Sequence, residues 1–264
     1  MVNVVALARA GHLPPALAVT ALSTVLAATG DVAPAIVVAL AIAVFSGQLV
    51  VGWTNDLIDH DTDVAVHRTD KPLVVGSVTR EAVVTATVLT TAVCVVASLL
   101  CGVAAGTVHL VAGVGAALAY NLGVKRTIFS WVPYLLAFGS VPVAVGLASR
   151  SGDLPPAWVV AMAALLGVGA HLLNVFPDLE DDAVTGMSGL PHRLGRTRIP
   201  PVAAALLVGA TAIGVVATHR GAWQWAVLGV VTVVAAVCTR APGRAPFYAT
   251  MLIAGIDLAI IVIR

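Results

Sequence analysis

Nine apolar runs divide the chain, separated by polar or Gly- and Pro-containing breaks. They cover Leu13 to Ala28, Ala33 to Trp53, Ala82 to Val103, Thr107 to Tyr120, Ile128 to Leu147, Ala157 to Val175, Ile199 to Thr218, Ala222 to Cys238 and Phe247 to Ile263. Apolar runs of about 18 residues or more with few charges predict helices that cross a ~30 Å hydrocarbon core. The fourth run is short for such a core. Most connections are brief; the two long ones run from about Asn55 to Glu81 and from about Phe176 to Arg198. The pattern predicts an all-α integral membrane protein, nine transmembrane helices in one polytopic domain over residues 1–264. The first run reads as a retained helix rather than a cleaved signal, because only Arg9 precedes it as an early charge and Pro14 and Pro15 open it.

Composition sharpens this picture. The chain is 59% hydrophobic and only 10% charged, with a mean hydropathy of +1.01, which excludes an ordinary soluble domain of this length. A net charge of +1 implies no polyanionic partner and no nucleic acid. Cys94, Cys101 and Cys238 all sit in apolar runs without metal-ligand spacing and read as small buried hydrophobes. With the N-terminus in the cytoplasm, 11 basic residues fall inside and three, Arg150, Arg220 and Arg264, fall outside. By the positive-inside rule this places both long loops in the cytoplasm of a multi-pass cell-membrane protein.

The carboxylates are more clustered than the cations. Of 13, six lie between Asp56 and Glu81 and four between Asp178 and Asp182. Asn55, Asp59 and Asp63 are spaced i, i+4, i+8, and Asn174, Asp178 and Asp182 repeat that spacing 119 residues later. On a helix, at ~100° per residue, Asn55, Asp56, Asp59 and Asp63 share one face, and His171, Asn174, Asp178, Asp181 and Asp182 share another. Asp61 and Glu180 point away, and Pro177 predicts a kink near Leu173. Like charges one turn apart repel, so such faces call for cations. An all-oxygen donor set favours Mg²⁺ or Ca²⁺, and Mg²⁺ characteristically binds between carboxylates and substrate phosphates. Two facing sets suit a diphosphate. Arg68, Lys71, Lys125 and Arg126 lie on the same side and can contact phosphate oxygens. Arg193, Arg196, Arg198, Arg240 and Arg244 read instead as topogenic charges.

These residues resemble those of the UbiA superfamily of intramembrane prenyltransferases. The family's first motif, Asn-Asp-x-x-Asp-x-x-x-Asp, is matched at Asn55, Asp56, Asp59 and Asp63, and its second, Asp-x-x-x-Asp, at Asp178 and Asp182, followed by Gly186 and the pair Leu194-Gly195. The stretch from Tyr120 to Lys125 is similar to a family Tyr/Lys loop. Many members continue the first motif with Arg-Pro-Leu-Pro-x-Gly; here Lys71-Pro72-Leu73-Val74-Val75-Gly76 has Lys for Arg and lacks the second proline. Lysine is a point charge without arginine's bidentate fork, so this departure bears on diphosphate contacts.

The resemblance implies a helical bundle around a central cavity, in which an isoprenyl diphosphate lies with its tail among the apolar helices. It implies Mg²⁺ as cofactor, held by Asn55, Asp56, Asp59, Asp63, Asp178 and Asp182. It further implies diphosphate contacts from Arg68, Lys71, Lys125, Tyr120 and Asn174, and catalytic roles for Asn55, Asp59, Asp178 and Lys125. The product of ionisation, an allylic cation, would alkylate a lipophilic acceptor, commonly aromatic in this family.

Two other readings remain open from sequence. A terpene cyclase on the same scaffold ionises the same diphosphate and closes the cation on its own chain. A cation-coupled transporter would use the acidic faces as ion sites, although such sites usually lie near the bilayer midplane. Among the remaining residues, Asp257 stands alone in an apolar run and reads as structural glue or as a functional intramembrane carboxyl. His171 reads equally as a substrate contact, a base or a hydrogen-bonded helix residue. His60 and His67 read as solvated loop residues, and Trp53 and Tyr120 as interface anchors whose rings can also face a cation. Gly167 and Gly169 read as close helix packing.

Overall fold

A computed structural model describes residues 3–263, so Arg264, one of the three basic residues assigned to the outer side, lies outside it. Among the described residues all regular structure is helical. The order is α1 (Val4–Ala10), α2 (Leu13–Thr29), α3 (Pro34–Ala65), α4 (Arg80–Leu100), α5 (Val103–Val108), α6 (Ala116–Leu122), α7 (Val132–Ala148), α8 (Ala157–Val175), α9 (Leu179–Val184), α10 (Leu190–Thr218), α11 (Ala222–Cys238) and α12 (Ala245–Val262). A π-helical stretch, His109–Gly115, joins α5 to α6, and α10 is broken at Gly195 by φ 71°.

Every apolar run is helical, but the number of spans is less uniform than nine equal segments. Among the described residues six helices are long and apolar enough to cross a membrane, and a seventh crossing arises if α1 and α2, bent by 70°, form one broken span. The helices α7 and α11 are shorter, at 17 residues each. The fourth run extends to 20 residues, Val103–Leu122, longer than the sequence pattern indicates. Local signals explain several helix starts. Asn3 and Thr79 cap α1 and α4 through their side-chain oxygens, at 3.1 and 3.2 Å. Pro34, Pro133 and Pro246 sit in first turns, where a missing N–H costs no hydrogen bond. Within the apolar helices, Ser23, Ser46, Ser98 and Thr211 donate to carbonyls one turn back, so their hydroxyls are paired without water.

The bundle has three buried apolar clusters. One joins α8, α10, α11 and α12 around Leu173, Leu207 and Ile253; another joins α2, α3, α5 and α7 around Leu40 and Val145. The third, around Trp53, Leu73 and Val83, packs α1 and the loop after α3 onto α3 and α4. Trp53 is therefore a buried staple and not an interface anchor: it is 5% exposed, and its indole N–H donates to the Leu7 carbonyl at 2.9 Å. Gly167 meets the Tyr134 carbonyl and Phe138 on α7, and Gly169 meets Leu207 on α10, which makes both close-packing positions. Cys94 and Cys101 are buried free thiols, as expected of small hydrophobes; Cys238 is only partly buried.

Candidate active site

Helix α3 does not stop where its apolar run ends. It continues for twelve residues past Trp53 to Ala65, so the first acidic motif is helical throughout and its spacing becomes a face. Asp56 and Asp63 on this face are 2% and 9% exposed. Asn55 donates to Asp59 Oδ2 at 2.7 Å and reaches Asn121 at 3.4 Å, while Asn121 donates to the Val51 carbonyl at 2.9 Å. Asn121 thus ties α6 to α3 beside the motif.

Each inward carboxylate faces a cation supplied by the chain. Lys71, in the loop after α3, donates to Asp56 Oδ1 at 2.6 Å and lies 4.0 Å from Asp63. Lys125, only 6% exposed, contacts both oxygens of Asp59, at 2.6 Å to Oδ2. Arg68 is held by Asp70 through two hydrogen bonds, 2.9 and 3.0 Å, and reaches Asp178 of the second motif at 3.5 Å. The paired charges move both pKa values apart: the Asp70 carboxyl falls to about 2, mainly through its hydrogen bonds from Arg68, and Arg68 rises from its ordinary value.

The second motif is built differently. Helix α8 ends at Val175; Phe176–Asp178 forms one 3₁₀ turn, and α9 follows. The disturbance expected from Pro177 near Leu173 thus begins three residues later, because the proline occupies the start of a new turn and its missing N–H breaks no α-helical bond there. Asp178 meets Arg68 and, at 3.4 Å, Arg244; Asp182 meets His192 at 3.0 Å. The helical projection assumes one continuous helix, and across this break Asp181, expected on the same arc, faces solvent. Asp61 and Glu180 are exposed as their phase predicts, Glu180 pairing with Arg196 at 3.0 Å.

Between the two faces lies an aromatic cluster. Tyr120 stands edge-on to Tyr134 and His171, with centroids at 5.3 and 5.5 Å; Tyr134 lies 4.7 Å from His171 and stacks on Phe138 at 6.3 Å. His171 is 1% exposed and shares a 3.0 Å hydrogen bond with Ser130 on the loop before α7, whose hydroxyl also accepts from the Leu190 N–H. Asn174 donates to the Tyr134 hydroxyl at 3.5 Å. Asn55 and Asn174, the first residues of the two motifs, both line a cavity of ≈ 1030 Å³ whose walls are otherwise mainly apolar, with Tyr120, Tyr134 and Phe138 among them. Of the expected site residues, Asn55, Tyr120 and Asn174 line this cavity, while Lys125 and Asp182 line a smaller pocket that Tyr120 shares.

Sequence reasoning missed His12. It occupies the corner between α1 and α2 in a left-handed conformation, φ 53° and ψ 51°. Its Nε2 lies 3.1 Å from Asp56 Oδ1 and 3.5 Å from Lys71 Nζ. Glycine packing brings it there: a Cβ on Gly52 would meet the Gly11 backbone at 2.8 Å, so only a bare backbone lets this corner approach α3 one turn before Asp56. The local signal was the Gly11-His12-Leu13-Pro14-Pro15 break. Arg244 and His192 were also missed, the first set aside as topogenic. His60, expected in a solvated loop, lies on α3 and is partly buried.

The donor set suits a hard cation. The inward side chains offer oxygen, and Asp56 Oδ2 is buried with no hydrogen-bond partner. Among the described residues no three His, Cys, Asp or Glu side chains converge closely enough to form an all-protein metal cage. Oxygen donors of this kind, with the Asp56 Oδ2 left free, fit Mg²⁺, which takes one or two carboxylates and completes its shell from phosphate and water.

The sequence model of the UbiA prenyltransferase family matches residues 14–242. No curated protein sequence matches the chain. Among solved structures, a UbiA homolog from Archaeoglobus fulgidus bound to GPP and Mg²⁺ aligns with a TM-score of 0.75 at 14% identity, over 97% of each chain. The apo structure of a UbiA homolog from Aeropyrum pernix K1 aligns at 0.74 with 20% identity, over 94% of this chain and 97% of that one. A digeranylgeranylglyceryl phosphate synthase structure aligns at 0.65 with 16% identity, over 98% and 95%. At these identities the structures speak for a shared fold, while the family match covers most of the sequence that builds the site: the chain belongs to the UbiA prenyltransferase family.

Proposed function

We propose that this protein is a Mg²⁺-dependent intramembrane prenyltransferase that ionises an isoprenyl diphosphate and transfers the prenyl group to a lipophilic, aromatic acceptor. The observation that carries this reading is that Asn55 and Asn174, the first residues of the two Asn-Asp-Asp sets, both stand in the wall of one mainly apolar cavity, while Arg68 reaches from the loop after the first set to Asp178 of the second. An acidic mouth over a greasy chamber has the polarity of an isoprenyl diphosphate with its counterions. The similar Archaeoglobus fulgidus homolog bound to GPP and Mg²⁺ supports the same pairing of ligand and metal.

In this reading Asn55, Asp56, Asp59, Asp63, Asp178 and Asp182 hold Mg²⁺ at the cavity mouth. When bound, the metal neutralises diphosphate charge and eases loss of the allylic C1–O bond. Lys71, Lys125 and Arg68, which neutralise Asp56, Asp59 and Asp178 in this structure, turn to phosphate oxygens and stabilise the leaving diphosphate. Tyr120 and Asn174 hold the substrate from the cavity wall. The rings of Tyr120 and Tyr134 face the developing cation. The apolar walls exclude water, which would quench it.

The topology follows from the same premises. The broken pair α1–α2 and the short α7 and α11 join the six longer helices as spans, giving nine. Seventeen residues reach ~26 Å, within the range that crosses a bilayer. The basic excess places the N-terminus and the acidic end in the cytoplasm.

Purified protein in nanodiscs, given labelled geranyl, farnesyl or geranylgeranyl diphosphate with Mg²⁺, tests the reading by mass spectrometry of products. Diphosphate release that needs an acceptor, yields an acceptor heavier by one prenyl group, and disappears with EDTA or Asp59→Asn is the expected result. A cyclic product without acceptor would replace transfer by cyclisation. Absence of diphosphate binding would overturn the reading.

A further inference from the structure

The mouth cavity continues into a second chamber. Val19, Leu22, Phe138, Leu166 and Ala254 line both spaces, and the deeper one, ≈ 630 Å³, lies among α2, α7, α8 and α12. Its wall is apolar except for Ser23 and Asp257. Ser23 already donates to the Val19 carbonyl at 2.8 Å. Asp257 is 1% exposed, and neither carboxyl oxygen has a hydrogen-bond partner. The Thr211 hydroxyl on α10 is close enough to act on this carboxyl electrostatically, but it lies outside hydrogen-bond geometry with either oxygen and donates instead to the Leu207 carbonyl at 3.3 Å.

A buried polar group without a partner is costly, so the identity of the chamber's occupant matters. A pure hydrocarbon tail would leave the carboxyl unpaired. A lone water needs two to four polar partners, and this wall offers too few. A carboxyl group inside an apolar span is, by default, a functional group. An amphiphile with one uncharged oxygen at the end of an apolar body meets both demands: the body fills the chamber and the oxygen pairs with Asp257. The depth is suitable. Asp257 lies ten residues along α12 from Phe247, which lines the mouth cavity. At the helical rise that is about 15 Å, the scale of a short isoprenoid chain.

We propose that the chamber around Asp257 is a subsite for a hydroxyl or carbonyl group at the distal end of a lipophilic substrate whose diphosphate sits between the two acidic faces. This inference rests on the isoprenyl diphosphate reading given above. Asp257 is a specificity residue here, remote from the reacting carbon.

The test compares binding of geranyl, farnesyl and geranylgeranyl diphosphates with their ω-hydroxylated counterparts, each with Mg²⁺, to protein in nanodiscs. For the chain length that reaches Asp257, the ω-hydroxylated ligand is expected to bind at least about ten-fold tighter. Asp257→Asn is expected to keep most of that preference. Asp257→Leu is expected to lose it while binding the plain ligand as well as or better than wild type. Asp257→Ser, which withdraws the polar group from the chamber, carries the same expectation should the leucine variant not fold. Equal binding of each pair by wild type, or an unchanged preference in the leucine or serine variant, would overturn the inference and leave Asp257 as a helix tie. Failure of every diphosphate to bind would overturn the functional reading, and this inference with it.

Discussion

The two acidic faces carry the same Asn-Asp-Asp spacing on different backbones. The first sits on an unbroken helix, α3, and buries Asp56 and Asp63 almost completely. The second is split by a 3₁₀ turn at Phe176–Asp178; Asp178 and Asp182 keep 26% and 25% of their side-chain surface. The partners differ too. Lys71 touches Asp56 at 2.6 Å and Lys125 grips both oxygens of Asp59, whereas Arg68 and Arg244 approach Asp178 only to 3.5 and 3.4 Å. Spacing alone defines a face only while the helix persists. The first face is the rigid one, held by close pairs on a single helix, and the broken second face is the more open.

The largest expected effect comes from the rigid face. Lys125→Met strands Asp59 in a nearly closed site, and removing one partner of a buried pair typically costs about 3–5 kcal/mol. A clear fall in thermal midpoint and loss of turnover are expected. Asp178→Asn on the broken face, with its more exposed pairs, should lower turnover by about 10²-fold or more with little change in the melting curve. Equal melting shifts for the two variants would erase the distinction between the faces.

Gly52→Val comes next. Its side chain has no space against the Gly11 backbone, and overpacking of this kind costs about 1–3 kcal/mol. The α1–α2 corner is expected to move off α3 and take His12 from Asp56. His12→Ala removes the contact without the clash. If both variants weaken diphosphate binding and only Gly52→Val lowers the thermal midpoint, His12 belongs to the site.

How much of this was legible in sequence follows the same division. The apolar runs gave the helices, and the first motif's phase carried through because α3 simply continues. The second motif's phase failed at Asp181, because the projection assumes one continuous helix and α8 ends at Val175, before a 3₁₀ turn and a separate α9. The contacts of His12 with Asp56, and of Arg244 with Asp178, span 44 and 66 residues. They depend on how helices approach, through pairs such as Gly11 and Gly52, and no local pattern specifies that. Trp53 was misplaced for the same reason: its position at the end of an apolar run resembles an interface, but α1 folds over it.

Pro177→Ala asks whether the break itself has a role. It restores an N–H at the turn and allows α8 to run into α9, with a stability change of about 1 kcal/mol or less. Turnover should fall about ten-fold, by analogy with the loss that small misplacement of reacting groups brings. Wild-type turnover in this variant would make the broken backbone incidental.

The smallest effect lies in the strap between the faces, where Asp70 holds Arg68 toward Asp178. The folded Asp70 carboxyl titrates at about 2, below its ordinary 3.8. A depressed carboxylate pKa means the unfolded chain binds this proton first as pH falls. The pair's stabilisation is therefore complete above about 4 and is lost as pH falls toward and through about 2. Asp70 is 57% exposed, so solvent screening keeps the contribution within about 1 kcal/mol. Thermal unfolding of wild type and Asp70→Asn in the same detergent should differ slightly at pH 5 and converge as pH falls toward 2. The absence of any gap at pH 5 would mean that Arg68 is held mainly by Asp178, and that the strap joins the two faces without the help of Asp70.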